Sequence, residues 1–182
     1  ADVQRPGPAT GLPTRTEQGD LLFAVNISQG EFPLIVTAPR HQEDAFHQSF
    51  RAQNLAEKYQ TPVIIMSDQF LGDSSTNIDK LNFDELEIER NLADPADIDG
   101  DYKRYRITED GISPRAYPGQ LAGETVLADS DEHDESGHII EDAETRKMMV
   151  DKRNRKLERF AEEDREAPVY EGGDSPEYIV IS

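Results

Sequence analysis

The chain has no cysteine among its 182 residues. That excludes disulfides and any iron–sulfur cluster held by its own thiolates, though not a cluster on a partner. It has no run of about 18 apolar residues that would read as a membrane span, and no signal peptide. The expectation is a soluble, cytoplasmic chain. No Gly-x-Ser-x-Gly, Gly-x-Gly-x-x-Gly or Walker loop occurs, so neither a nucleophile elbow nor a standard nucleotide loop is present. No internal repeat is visible. Lysine is scarce, with six against thirteen arginines, and hydrophobic residues make up only 35%.

Acid is abundant. Nineteen Asp and nineteen Glu leave a net charge of −19. Such a surface repels nucleic acid and anionic membranes, whose phosphates need Lys and Arg partners. Acid in excess with little lysine suggests a salt-rich, halophilic cytoplasm, where screening relieves self-repulsion. An ordinary acidic protein has the same composition, so both readings stand.

Along the first third, helix and strand patterns alternate. Arg5 to Gln18 contains two glycines and three prolines, and Thr14-x-x-Glu17 reads as a capping box for a helix over 15–29. Leu21, Leu22 and Val25 would form that helix's apolar side and Gly30 its stop. A loop feeding a helix start, with Arg5 at its mouth, suits an anion-binding corner. Pro33 to Ala38 reads as a strand. Residues 42–60 predict the clearest helix, with Ala45, Ser49, Ala52 and Ala56 as a small-residue face for the sheet. Pro62 opens Val63-Ile64-Ile65-Met66, an unalternating apolar run that fits a central parallel strand. Together these indicate a three-layer α/β unit. Ser67-Asp68 then falls at a strand's carboxyl end, where such sheets place ligands; capping of the next turn by Asp68 is the plainer expectation.

Beyond residue 70 regular patterns thin out. Phe83 to Leu92 suggests a short acidic helix, and Asp94 to Tyr105 a loop. Ile112 to Gly119 must be extended, because each proline biases its predecessor away from helix. Residues 142–165 predict a long, charged helix with a thin apolar stripe at Met149, Leu157 and Phe160. Residues 166–176 read as a linker and Tyr178 to Ser182 as a strand. Both ends look cut, so a fragment of a larger polypeptide is expected.

Two charged motifs invite functional readings. His133 and His138 among Asp131, Glu132, Asp134 and Glu135 tempt a metal site, but no third ligand falls at a helical or turn spacing. A solvated acidic loop is the better reading. Lys152-Arg153-Asn154-Arg155-Lys156 is the one basic cluster. Pairing with Glu158, Glu162 and Glu163 on the same helix explains it more simply than a phosphate or ferredoxin contact.

Four blocks resemble the alpha subunit of the 2-oxoacid:ferredoxin oxidoreductases. The first is the loop at 4–18, similar to GPxTGLPTxTEQ. The second runs from Phe50 to Tyr59 into Thr61 to Asp68. The third is Asp110-Gly111-Ile112-Ser113-Pro114-Arg115. The last is Glu132 to His138 with the helix carrying Arg146, Met149 and Lys152-Arg153. The resemblance implies an enzyme that decarboxylates a 2-oxoacid (pyruvate, 2-oxoglutarate or a branched-chain acid) on thiamine diphosphate. The acyl group passes to coenzyme A and electrons to ferredoxin. It implies that residues 1–140 are the C-terminal part of a pyrimidine-binding domain with a long loop. Residues 141–176 become a helix and linker, and 177–182 the first strand of a transketolase C-terminal-like domain. Arg5 lies where the family contacts the substrate carboxylate, and Thr10 and Thr14 lie in the same loop, able to donate hydroxyls to substrate or cofactor. The glutamate that protonates the aminopyrimidine would precede residue 1. Magnesium ligands and an iron–sulfur cluster would belong to the beta subunit, so this chain alone would be inactive. A transketolase-like transferase and a non-catalytic acidic assembly module are the competing readings.

Overall fold

A computed structural model describes residues 1–98 and 100–167, with Gly172, Ser175, Glu177 and Tyr178. The strand expected at the C-terminus, the end of the linker and the start of the second domain lie essentially outside the described residues.

Three short strands form a parallel sheet: β1 (Asp2–Gln4), β2 (Ile35–Thr37) and β3 (Val63–Asp68). Their order is β1-β3-β2, with β3 central. The pairs Val3↔Ser67 and Val36↔Ile64 fix the register. This is the expected α/β arrangement. Only Met66 of β3 is buried; three short strands make a narrow sheet, and the helices of this chain cover part of it.

Helix α2 (Gln42–Tyr59) follows its expected bounds. His41 caps it, Nδ1 accepting from the Asp44 amide at 3.2 Å. Glu43 and Asp44 sit in its first turn and Lys58 in its last, complementing the helix dipole. Gln60 ends it in the left-handed region (φ 48), and Pro62 begins the next strand. The buried face differs from expectation. It is Asp44, Gln48, Ala52, Leu55 and Tyr59, whereas Ser49 is exposed. Leu55 and Tyr59 pack with Ile35, joined by Val63, Ile112 and Phe160, so larger apolar side chains turned the helix away from its small-residue stripe.

The helix expected over 15–29 shrinks to α1 (Leu21–Val25), with Asp20 at its N-cap. The Thr14/Glu17 capping box therefore does not form, and Asn26, not Gly30, closes the helix. Leu21, Leu22 and Val25 are exposed and only Ala24 is buried; with no buried apolar face, five residues are all that the local bonds sustain. Next, α3 (Gln69–Asp73) follows β3 directly. The expected acidic helix near residue 83 is a single 3-10 turn, Phe83–Glu85, and a second turn spans Pro95–Asp97. Residues 112–117 form neither helix nor strand, in keeping with their prolines.

Helix α4 (Ala143–Glu163) is long and charged as expected, capped by Asp142, which accepts from the Thr145 amide at 2.8 Å. Its buried residues are Met149, Lys152 and Lys156, while Leu157 is exposed. The basic cluster is therefore not a solvated face pairing along its own helix. Lys152 Nζ donates to the Tyr105 carbonyl at 2.7 Å and Lys156 Nζ to the Gln60 carbonyl at 2.8 Å. Arg155 donates to the Thr108 carbonyl, and Arg153 grips Glu132 bidentately at 2.7 and 2.8 Å. Main-chain oxygens of the irregular arm between α3 and α4 (residues 74–142) thus receive Lys152 and Arg155, and one at the end of α2 receives Lys156.

Candidate active site: the Arg5–Asp20 loop

β1 ends at Gln4, and the chain leaves the carboxyl edge of the sheet in the loop that carries Arg5, Thr10 and Thr14. The body of this loop folds on itself. Leu12 donates its amide to the Pro6 carbonyl at 3.3 Å, and Arg15 its amide to the Leu12 carbonyl at 3.2 Å. The Gly7–Pro8 peptide is cis. Gly11 has φ +49, and a Cβ there would lie 1.9 Å from the Pro6 oxygen. Only glycine lets the backbone cross itself so closely.

The neck is fastened to the sheet. Gln4 is buried (6% exposed). Its Nε2 donates to the Ser67 carbonyl at 3.2 Å and its Oε1 accepts the Asp20 amide at 3.0 Å. Gln18 Nε2 donates to Asp68 Oδ2 at 2.8 Å, while Asp68 Oδ1 accepts from the Leu71 amide at 2.8 Å. Asp68 thus caps α3, as the plainer reading expects, and also anchors the loop.

Arg5 is half-buried, and its Nε is enclosed with no hydrogen-bond partner. Arg115 Nε and Arg155 Nε are enclosed and unpaired in the same way, in side chains whose other nitrogens hold Glu57 and the Thr108 carbonyl. Thr10 and Thr14 are exposed. Thr14 Oγ1 accepts from Arg15 Nη1 at 3.2 Å. Thr14 also borders a cavity of about 280 Å³, with Thr16, Gln69, Phe70, Asp73 and Ser74. Arg5 and Thr10 are not among its lining residues, so the three sequence candidates share one loop without converging on one cavity. Gln69 is buried, and its Oε1 likewise lacks a partner. Gln4 and Gln18 lie inside the recognised 4–18 string, which assigned them no role, and Gln69, the first residue of α3, carried no signal in the sequence.

The acidic 131–138 segment is occupied structurally. Glu132 binds Arg153 and Arg146, and the hydrogen bonds from Arg153 hold its carboxyl below the usual range. Glu135 Oε1 accepts from the Ile107 amide at 2.8 Å, and Asp134 Oδ1 from the Ser136 and His138 amides. His133 lies against Tyr105, centroids 4.1 Å apart. No three His, Asp or Glu side chains converge on a metal position among the described residues. No helix among them is long and apolar enough to cross a membrane.

A parallel α/β domain with a loop beyond the carboxyl ends of its strands belongs to the class whose ligands bind at that edge. More closely, residues 1–152 match the model of the family described as pyruvate flavodoxin/ferredoxin oxidoreductase, thiamine diphosphate-binding, and the chain belongs to that family. It is 48% identical over 157 residues to 2-oxoacid:ferredoxin oxidoreductase 1, subunit alpha, of Sulfurisphaera tokodaii, covering 85% of this chain and 24% of that protein. An Aeropyrum pernix alpha subunit is 37% identical over 98% of this chain and 28% of its own. The solved 2-oxoglutarate:ferredoxin oxidoreductase from Magnetococcus marinus, with 2-oxoglutarate, coenzyme A and succinyl-CoA bound, shares 37% identity. It superposes with a TM-score of 0.82, over 91% of this chain and 28% of that one. The chain spans about a quarter of the length of the curated relatives it matches.

The described residues fit one part of thiamine diphosphate better than another. Hydroxyls of Thr14 and Thr16 and the unpaired Gln69 oxygen suit an organic, hydrogen-bonding group. Asp68 and Asp73 lie at the same edge, and their negative charge disfavours a diphosphate there.

Proposed function

We propose that this chain is part of the alpha subunit of a thiamine-diphosphate-dependent 2-oxoacid:ferredoxin oxidoreductase and supplies the group that binds the substrate carboxylate. The observation that carries the reading is the position of Arg5: it directly follows β1, at the mouth of an internally braced loop beside the carboxyl edge of the sheet. A guanidinium fork pairs with a planar carboxylate through two parallel, charge-assisted bonds. Thr10 and Thr14 donate hydroxyls to substrate or cofactor. Thiamine diphosphate, when bound, supplies the carbanion chemistry, and the protein positions the reactants.

On this reading the beta subunit contributes the magnesium ligands and an iron–sulfur cluster, coenzyme A accepts the acyl group and ferredoxin the electrons. Exposed Leu21, Leu22, Phe23 and Phe70 support a protein partner beside the loop. Residues 1–140 serve as the pyrimidine-side domain with its arm, 141–176 as helix and linker, and 177–182 begin the second domain. The location is a cytoplasm, and the charge of −19 suits one rich in salt.

The test is coenzyme A-dependent viologen reduction by the intact native complex in high salt, with pyruvate and 2-oxoglutarate tried separately. Reduction is expected with at least one of them. A complex that contains thiamine diphosphate and iron yet reduces nothing with any 2-oxoacid contradicts the proposal.

A further inference from the structure

The loop that carries Arg5 is stiff within itself and fastened at its neck. Among the described residues, its hydrogen bonds to the rest of the chain fall at Gln4, Gln18 and Asp20. Residues 6–16 bond among themselves, through Leu12 to Pro6, Arg15 to Leu12 and Arg15 to Thr14. With its hydrogen bonds to the sheet confined to the neck, the loop takes its orientation there.

Gln4 is the centre of that neck. It is the last residue of β1 and the neighbour of Arg5. One amide spans three segments: Ser67 on β3, Gln4 on β1, and Asp20, where the loop returns. Glutamine suits the position because it offers a donor and an acceptor on one planar group. Methionine or leucine would fill the space and leave both the Ser67 carbonyl and the Asp20 amide without that partner. Gln18 adds a second fastening to Asp68, whose other oxygen is fixed by the α3 amide of Leu71. The loop is thereby tied to both β1 and β3.

We infer that Gln4, with Gln18 on Asp68, is a positioning latch that holds Arg5 in register for the substrate carboxylate without touching the substrate. The inference rests on the substrate-binding reading of Arg5. It makes affinity for the 2-oxoacid depend on two glutamines that the family resemblance gave no role.

The experiment uses the intact complex and two readouts. One is the split between KM for the 2-oxoacid and kcat. The other is the rate of tryptic cleavage after the exposed Arg15 in the loop, which needs no turnover. Gln4→Leu is expected to raise KM about tenfold, the effect of about 1.4 kcal/mol, with little change in kcat. Cleavage at Arg15 is expected to quicken, and saturating 2-oxoacid to slow it again. If Gln4→Leu does not assemble, Gln18→Ala decides the matter, since it breaks an exposed bond; KM should rise about threefold, in keeping with one modest hydrogen bond, with faster cleavage. Unchanged cleavage overturns the latch. Faster cleavage with unchanged KM, in a complex where Arg5→Ala does raise KM, overturns its positioning role. If Arg5→Ala leaves KM unchanged, the substrate reading fails on its own account, and with it the positioning role, while the cleavage rates still report whether the neck is fastened.

Discussion

Around β3 the chain is held by a backbone ladder and by Ile35, Leu55 and Tyr59. Around α4 it is held by basic side chains that donate to main-chain oxygens. Lys152, Arg155 and Lys156 end on carbonyls of Tyr105, Thr108 and Gln60, and Arg153 on Glu132. The first arrangement repeats along the chain; the second does not. Regular structure satisfies its own backbone groups, whereas an irregular arm must borrow donors from elsewhere. The two regions meet at the end of α2. Tyr59 stacks edge-on against Phe160 and donates to Asp164. Gln60 donates to the Ser113 carbonyl, accepts from Arg104 and, through its carbonyl, from Lys156.

That junction is the most damaging place to break the contrast. Tyr59 is fully buried, and Tyr59→Ala should cost about 3–5 kcal/mol, as large aromatic truncations do. Urea unfolding of the subunit measures it. If the two regions are coupled there, protection from hydrogen exchange should fall in both α2 and α4. Loss confined to α2 would mean the arm holds α4 without it.

Gly111 is the next point. It has φ +78, and an added Cβ would sit 2.2 Å from the Lys152 carbonyl oxygen. Gly111→Ala should destabilise the arm by roughly 1–3 kcal/mol from backbone strain alone, seen as a lower midpoint with α4 released first. The ladder around β3 should keep its exchange protection.

A smaller effect separates the regions by pH. Burial, aided by the neighbouring Lys156, Arg104 and Arg153 charges, pushes Lys152 down to about 7. Burial and the Arg104 and Arg153 charges push Lys156 down to about 8. Both free values are near 10.5. Across that window the unfolded chain binds more protons than the folded one, so stability contributed by these groups rises with pH and is lowest below pH 7. Lys152→Met should flatten the rise of the urea midpoint from pH 7 to 10. An unaltered slope would mean that the site is hydrated enough to keep its lysine charged.

The legibility of the sequence divides along the same line. Helix α2 and strand β3 were readable because Ala45, Ser49, Ala52 and Ala56 recur at helical spacing, Val63 to Met66 form an unbroken apolar run, and Pro62 separates the two. The burial phase of α2 was not, because it depends on which large residues find Ile35. The loop at 5–18 was recognisable as a string, yet its capping box did not form. Its neck is fixed by Gln4 and Gln18, whose partners lie 63 and 50 residues away. On α4, Lys152 and Lys156 read as surface charges. Their burial follows from free carbonyls at Tyr105 and Gln60, and no local pattern in the sequence records a free carbonyl. The pairing of Glu132 with Arg153 was hidden for the same kind of reason: its partner lies 21 residues on.

The claim that joins fold to function is that Arg5 receives the substrate carboxylate. Steady-state kinetics of Arg5→Ala in the intact complex, with coenzyme A saturating and the 2-oxoacid varied, tests it most directly. The account predicts normal assembly and a KM raised more than about tenfold, equal to about 1.4 kcal/mol or more of lost binding. An assembled Arg5→Ala complex with an unchanged KM would contradict it and leave the enclosed guanidinium as a structural brace of the loop.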